Sequence, residues 1–420
     1  KPARVPKLTS SVHDISAEKP PFGSRFLTES SDVWAQNAWD HVPPPKDQAE
    51  TITASLAKQR LAPVPDEEKI KYNEKPAKYW DNFYKTNANN FFRNRNWLHL
   101  EFPELLSAAD SAASMYAGGI TICEIGCGAG NAAFPLLLTN KNPKLTIRAY
   151  DYSSHAVKLV QTNPAYTSPP VGSIHAAVWD FSSDILPNGV EPGTVDIIVL
   201  VFVMSALHPD EWDQAIANVH KMLKPGGLVL FRDYGRHDLT QLRFKSGRLL
   251  EDNFYIRGDK TRVYFFELDE LALLFTGSVA SESQKAAADA ADVIEETEGD
   301  DIVMPTGSSP ATPANGTLHT RSPLSSTSSP PPLAATPESD TPFESDATSQ
   351  TAATSETADA NSSPLFQVNH PNLLRSSGRS VSHPLFTIEQ LGIDRRLLVN
   401  RKRQLKMYRV WMQGKFKKLV

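Results

Sequence analysis

Between Val195 and Leu207 the chain reads VDIIVLVFVMSAL, almost without a polar break. A strand with one wet face alternates apolar and polar residues. A run this uniform belongs instead to a strand covered on both faces, as at the centre of a parallel sheet flanked by helices. Further strands are expected near residues 120 to 125, 145 to 151, 173 to 178 and 227 to 233, and helices near 131 to 139, 153 to 162 and 210 to 223. The segment LKPGG stops the last of these helices before the fifth strand. Strand and helix alternate throughout, so the fold class is α/β.

The turn after the first strand carries the chemistry. TICEIGCGAG, from Thr121 to Gly130, ends a hydrophobic strand on Glu124 and enters a glycine-rich loop. Gly126, Gly128 and Gly130 free the backbone to approach a nucleotide-like ligand closely, although such turns also serve as plain connectors. Glu124 is placed to act on a cationic ligand or to order the loop. The next strand, LTIRAYD, ends on Asp151, where a carboxylate accepts ribose hydroxyls. SIHAAVWD puts Asp180 after the third strand, within reach of an adenine amino group. Either acid alone reads equally as a helix cap. Three carboxylates at successive strand ends disfavour an anionic cofactor and suit S-adenosylmethionine, which is cationic at sulfur.

With 420 residues the chain is long enough for one ordinary domain plus extensions. From about 281 to 380 it is dominated by Ala, Ser, Thr, Pro and acidic residues and lacks apolar periodicity, so it is expected as a disordered insertion. The formal net charge of −5 argues against a nucleic-acid partner only as an average. The insertion carries much of the acid, whereas the last 26 residues, from Arg395, contain ten Lys or Arg and no Asp or Glu. That asymmetry suggests either a basic patch for nucleic acid or a solvated face. Cys123 and Cys127 are the only cysteines. Two thiols fall short of the four ligands of a structural zinc site, so no metal is expected, and a reducing, cytoplasmic setting is the simpler reading. No run reaches the roughly 18 apolar residues of a membrane span, and no signal-peptide core is evident at the N-terminus.

Upstream of the core, KPAKYWDNFYKTNANNFFRNRNWLHLEFPELL mixes aromatic with basic and amide residues. Trp80, Phe83 and Tyr84 share a helical face. That face suits core packing, a lid over the cofactor, or RNA stacking, with Phe91, Arg93 and Arg95 adding contacts to bases and phosphates. FELDELALLFTG reads as a helix ending near Gly277, and two candidate strands joined by a basic turn close the chain.

VFVMSALHPDEW, LKPGGLVLFRDYGRHDLTQLRF, DNFYIRGDKTRVYFF, CEIGCGAGNAAFPLL, NNFFRNRNWLHLEFPEL and RRLLVNRKRQLKMYRVWMQGKF together resemble the tRNA N3-methylcytidine methyltransferases, which modify cytosine 32 of the anticodon loop. The resemblance covers about Tyr72 to Gly277 and resumes near Pro384. FGSRFLT followed by WAQNAWDHV is similar to the threonine-tRNA branch and its fungal members. It implies a class I methyltransferase core with a seven-stranded, mostly parallel sheet and helices on both faces, S-adenosylmethionine as cofactor, and tRNA, in particular tRNA-Thr, as partner. An accessory protein for tRNA selection stays open, and no membrane partner is implied.

Composition and resemblance together give an organisation of N-terminal extension (1–70), tRNA-binding and cofactor-lid region (71–117), core (118–280), insertion (281–380) and final strands with a basic tail (381–420), the insertion being the main departure from the family pattern. Glu124, Gly126, Gly128 and Gly130 fall on the methionine-side loop, Asp151 on the ribose position, Asp180 on the adenine position, and Trp80 and Tyr84 on the lid. Phe202 joins the cofactor set.

Cytosine N3 has a lone pair and no proton, so transfer needs positioning more than a strong base. The product is a cation, which gives a nearby carboxylate an electrostatic role. Asp233 in FRDYGRHD is the leading candidate, with Arg232 and Tyr234 shaping the pocket. A buried salt bridge through Arg232 or Asp233 is the competing reading. His208 serves either as a substrate contact or as a helix cap. Arg257, Lys260 and Arg262 form a phosphate-contact loop or a solvated one, and Arg401 and Lys402 extend the RNA set from the basic turn. A methyltransferase acting on a protein or another RNA, and a noncatalytic RNA-binding adaptor, are the alternatives.

Overall fold

The structure is a computed structural model that describes residues 27–45, 47–112, 119–280 and 383–420. The insertion expected over 281–380 lies outside the described residues. In chain order the strands are β1 (Ala38–Asp40), β2 (Ile120–Ile125), β3 (Leu145–Asp151), β4 (Ser173–Val178), β5 (Val195–Val201), β6 (Leu223–Tyr234), β7 (Leu249–Glu251), β8 (Phe254–Ile256), β9 (Arg262–Tyr264), β10 (Phe386–Asn400) and β11 (Leu405–Lys418). The main sheet has the order β1-β10-β11-β6-β5-β2-β3-β4. Its β4-β3-β2-β5-β6 part is parallel, while β11 runs antiparallel to both β6 and β10.

The apolar run behaves as its pattern demands. Successive β5 side chains point to opposite faces. Ile198 and Leu200 join one core with helices Trp212–Met222 and Leu268–Thr276. Ile197, Val199 and Val201 join the other, with helices Glu104–Ala109, Ala133–Thr139 and Ser154–Gln161. Each such burial contributes about 1.5–3 kcal/mol. The one acid of the run, Asp196, sits at the open end of the strand, where it accepts the Thr121 amide at 2.8 Å and Lys224 Nζ at 2.6 Å.

Two features correct the sequence expectation. The sheet has eight strands rather than seven, because Ala38–Asp40 pairs antiparallel with β10, Ala38 opposite Leu398 and Asp40 opposite Arg396. Trp39 packs there with Val42, Leu397 and Val399. The stretch read as a charged phosphate loop is the β8–β9 turn of a second, antiparallel sheet, β7-β8-β9. Its strands are too short for periodicity to reveal, and the charges of the intervening turn mask their buried residues. Among the described residues no helix is long and apolar enough to cross a membrane.

Candidate functional site

The order in which strands are added reverses at β2, from which β3 and β4 lie to one side and β5 and β6 to the other. Crevices at the carboxyl ends of strands form at such a switch point. A cavity of about 340 Å³ lies there, walled by the turns after β2, β3, β4 and β5 and faced by Trp80, Tyr84 and the Arg93–Trp97 segment.

The glycine turn fits closely under its roof. Gly126 and Gly128 have φ of +67° and +55°, a left-handed conformation that a Cβ penalises. A Cβ on Gly126 runs into Val203, and one on Gly128 runs into the Tyr84 hydroxyl. Gly130 also has positive φ but does not reach the cavity wall; its amide closes the turn onto the Cys127 carbonyl at 2.9 Å.

Asp151 is buried at the wall. Its Oδ2 accepts the Gly128 amide and its Oδ1 the Ser153 amide, both at 2.8 Å. Burial raises its pKa to about 6 in spite of those bonds. Glu124 lies beneath the loop, with both carboxylate oxygens buried and without a hydrogen bond. Arg95 Nη1 stands 3.9 Å from Oε1. Burial pushes the Glu124 pKa up to about 7, more than Arg95 and the facing Ala133 amide offset. Asp180 lines the cavity, and Ser182 donates both its amide (2.9 Å) and its hydroxyl (2.7 Å) to Oδ1. Phe202, also on the wall, holds φ of +59° while its amide donates to the Arg232 carbonyl at 2.8 Å. A bulky residue in that region is strained, and such strain concentrates at ligand sites.

Helix Pro76–Asn87 forms the roof. Trp80 and Tyr84 stack with ring centroids 6.1 Å apart, and Phe83, Phe92 and Leu159 pack beside them. One turn of this helix is tied to the turn after β3: Asp81 Oδ1 accepts Ser153 Oγ at 2.7 Å and the His155 amide at 3.2 Å. Burial raises the Asp81 pKa, but these bonds outweigh it and hold the group below its ordinary value. The following loop is stapled to the glycine turn through Asn131. Its carbonyl accepts the Arg95 amide at 2.7 Å, and its Nδ2 donates to the Phe92 carbonyl at 3.2 Å and Asn94 Oδ1 at 3.3 Å.

Several expected site residues lie elsewhere. Arg232 is buried behind the cavity, not on its wall. It pairs with Asp394 at 2.5 Å, bonds Gln413, and stacks between Trp97 and Trp411 at 5.3 and 4.9 Å. Asp233 is likewise buried behind the wall, where it accepts the Ser205 and Tyr234 amides at 3.0 and 2.9 Å; burial raises its pKa to about 6. The buried-pair reading therefore describes Arg232, with Asp394 rather than Asp233 as partner. Tyr234 does line the cavity, and Arg257 stacks over its ring at 5.4 Å.

Of the three-residue basic loop, Arg257 lines the cavity and Lys260 is exposed. Arg262 also borders the cavity, but it is buried and its guanidinium is engaged, bonding Glu211 at 3.1 Å and the Ala206 carbonyl at 3.2 Å. Arg95 turns inward to Glu124, whereas Arg93 is exposed at the cavity edge. Arg401 and Lys402 are exposed on the β10–β11 turn, and Arg401 reaches Asn37 at 2.8 Å. The basic tail is partly internal: Arg396 pairs with Asp394 and Glu101, Arg409 with Asp238, and Lys415 with Glu104. His208 is a cap, its Nδ1 accepting the Asp210 amide at 3.2 Å.

Sequence reasoning missed Asp81, which ties the roof helix down, and Asn131, Tyr152 and Trp411, which line the cavity. Only Asn131 carried a signal, a polar side chain directly after the glycine turn.

A sheet of this order with a glycine turn and strand-end acids around one crevice defines a methyltransferase of class I, and the methyltransferase domain family matches residues 123–229. The chain is 51% identical over 257 residues to the tRNA(Thr) (cytosine(32)-N(3))-methyltransferase of Saccharomyces cerevisiae, a match covering 61% of this chain and 40% of that protein. It is 47% identical over 270 residues to the tRNA N(3)-methylcytidine methyltransferase of Schizosaccharomyces pombe, covering 64% and 85%. With the tRNA N(3)-cytidine methyltransferase of Danio rerio it shares 39% over 303 residues, covering 65% and 85%. The chain belongs to the tRNA N3-methylcytidine methyltransferase family.

Proposed function

We propose that this chain transfers the methyl group of S-adenosylmethionine to N3 of cytosine 32 in tRNA, with tRNA-Thr as the substrate. The observation that carries the reading is the cavity itself, which combines a close-approach glycine turn, carboxylates after β3 and β4, and an aromatic roof. The relatives, which include a yeast enzyme named for tRNA(Thr) cytosine 32, supply the substrate. A cytoplasmic location belongs to the proposal too, resting on the two free thiols, Cys123 and Cys127.

The residues suit the cofactor. Gly128 leaves room under Tyr84 only while it lacks a Cβ, and Glu124 is a buried carboxylate without a hydrogen bond, which favours a cationic ligand nearby. Bound there, S-adenosylmethionine supplies an electrophilic methyl group on sulfur. Asp151 and Asp180 are assigned to the ribose and adenine, and Trp80, Tyr84 and Phe202 enclose the cofactor and exclude water. Glu124 balances charge beneath the loop through Arg95.

For the base, Tyr234 and Ser205 form the wall, and Asp233 orders both through their amides. Asp233 thus acts on the cytosine through these neighbours and through its field, which favours the positive charge gained at transfer. Arg93, Arg257, Lys260, Arg401 and Lys402 serve the RNA backbone.

The test is incubation with labelled S-adenosylmethionine and unfractionated tRNA, followed by digestion and chromatography. Label is expected in N3-methylcytidine recovered from threonine tRNA. Label in another nucleoside, or in protein alone, would contradict the reading.

A further inference from the structure

Five arginines line the cavity, and three are already engaged. Arg95 stands 3.9 Å from Glu124, Arg262 3.1 Å from Glu211 and Arg409 2.8 Å from Asp238. Among the described residues, Arg93 and Arg257 make no ion pair. They reach the same cavity from different parts of the fold.

Arg257 belongs to the small sheet and is held firmly. Its amide donates to the Thr261 carbonyl at 2.8 Å, and its carbonyl accepts Arg248 Nη1 at 3.2 Å. Asp259 Oδ1 accepts the Thr261 amide and hydroxyl at 2.9 and 2.7 Å, and Tyr234 supports the guanidinium. Arg93 belongs to the loop that faces the cofactor crevice, between the two residues that Asn131 holds. It is exposed.

A nucleotide that enters base-first leaves its own phosphates at the mouth. Cations placed on those phosphates stay off the cytosine ring, where positive charge develops. We infer that Arg93 and Arg257 form a two-sided clamp on the phosphates flanking the target nucleotide, so that bound RNA ties the 88–97 loop to the core and tightens the cofactor site.

This inference rests on the tRNA reading above. Its consequence is a coupling free energy between the two ligands, equal in both directions. No chemistry is needed to see it. Titration of S-adenosylhomocysteine by calorimetry, with and without a tRNA-Thr transcript, should show about fivefold or more tighter binding in the presence of RNA. In Arg93→Gln and in Arg257→Gln the enhancement should vanish, while affinity without RNA stays within about twofold and the log–log salt slope for RNA binding falls by about one for each variant.

Arg93→Lys and Arg257→Lys keep the charge and should retain part of the enhancement, which separates a lost clamp from a damaged fold. Enhancement that survives both Gln variants, or RNA binding by the wild-type protein without enhancement, overturns the clamp alone. No RNA binding by the wild-type protein overturns the clamp and the tRNA reading together.

Discussion

At the scale of the residue, Glu124 and Asp151 are raised carboxyls in a crevice assigned to a cation. Their pKa values lie near 7 and 6, against ordinary values of 4.5 and 3.8. In the ligand-free protein such groups hold their protons longer when folded than when unfolded. That stabilisation is present below the unfolded values and is lost as pH rises from near 4 through about 7. A bound sulfonium favours the ionised forms, so cofactor affinity runs the opposite way. S-adenosylmethionine should bind more tightly at pH 7.5 than at pH 5.5, by on the order of tenfold. S-adenosylhomocysteine, neutral at sulfur, should change less, and equal pH profiles for the two ligands would remove the charge argument. Gly128 gives a second expectation. Gly128→Ala adds backbone strain of about 1–2 kcal/mol and a clash with the Tyr84 hydroxyl, and should weaken S-adenosylhomocysteine binding by about tenfold or more in calorimetry, a loss of about 1.4 kcal/mol. Adding Tyr84→Phe should restore part of that loss, because the clash lies at the hydroxyl; no recovery would locate the cost in the backbone alone.

At the scale of the element, the roof helix and the turn after β3 are joined by one carboxylate. Asp81 accepts from Ser153 and His155 at the start of helix Ser154–Gln161, so Asp81→Ala removes a cap supplied from another helix. The expected cost is about 1 kcal/mol of stability, with a several-fold weaker affinity for S-adenosylhomocysteine; an unchanged affinity would show that the helix covers the cavity without this tie. Elements with long, uniform signals were legible in the sequence. The expected bounds of β2, β3 and β4 match the strands found, and the Leu268–Thr276 helix ends at Gly277 as its glycine suggested. What escaped was decided by contacts distant in sequence. Arg262 reads as a phosphate contact or a solvated cation and Arg232 as a pocket residue or half of a buried pair, but nothing local names their partners, Glu211 and Asp394, which stand 51 and 162 residues away. Gln59, a polar residue of helix Gln48–Leu61, is buried, donating to the Gln241 carbonyl at 2.8 Å and accepting from the Tyr255 hydroxyl at 2.9 Å. No local pattern announces such a partner.

At the scale of the whole molecule, cofactor crevice and sheet edge are separate responsibilities of one fold. The N-terminal strand Ala38–Asp40 covers the outer edge of β10, where an open edge invites pairing with another chain. Trp39→Ala empties a buried site in that cluster and should cost about 3–5 kcal/mol, seen as a lower melting temperature. Trp39 does not line the cavity, so S-adenosylhomocysteine affinity below the melting transition should hold within about twofold. A parallel loss of affinity would show that edge and crevice are coupled. The central claim concerns the target atom, and a pair of tRNA-Thr transcripts that differ only by cytosine or uridine at position 32 tests it most directly. Each is incubated with the protein and S-adenosylmethionine, digested to nucleosides and analysed by mass spectrometry. N3-methylcytidine is expected from the cytosine transcript and no methylated nucleoside from the other. Methylation of both transcripts, or of neither while the protein binds its cofactor, would contradict that claim.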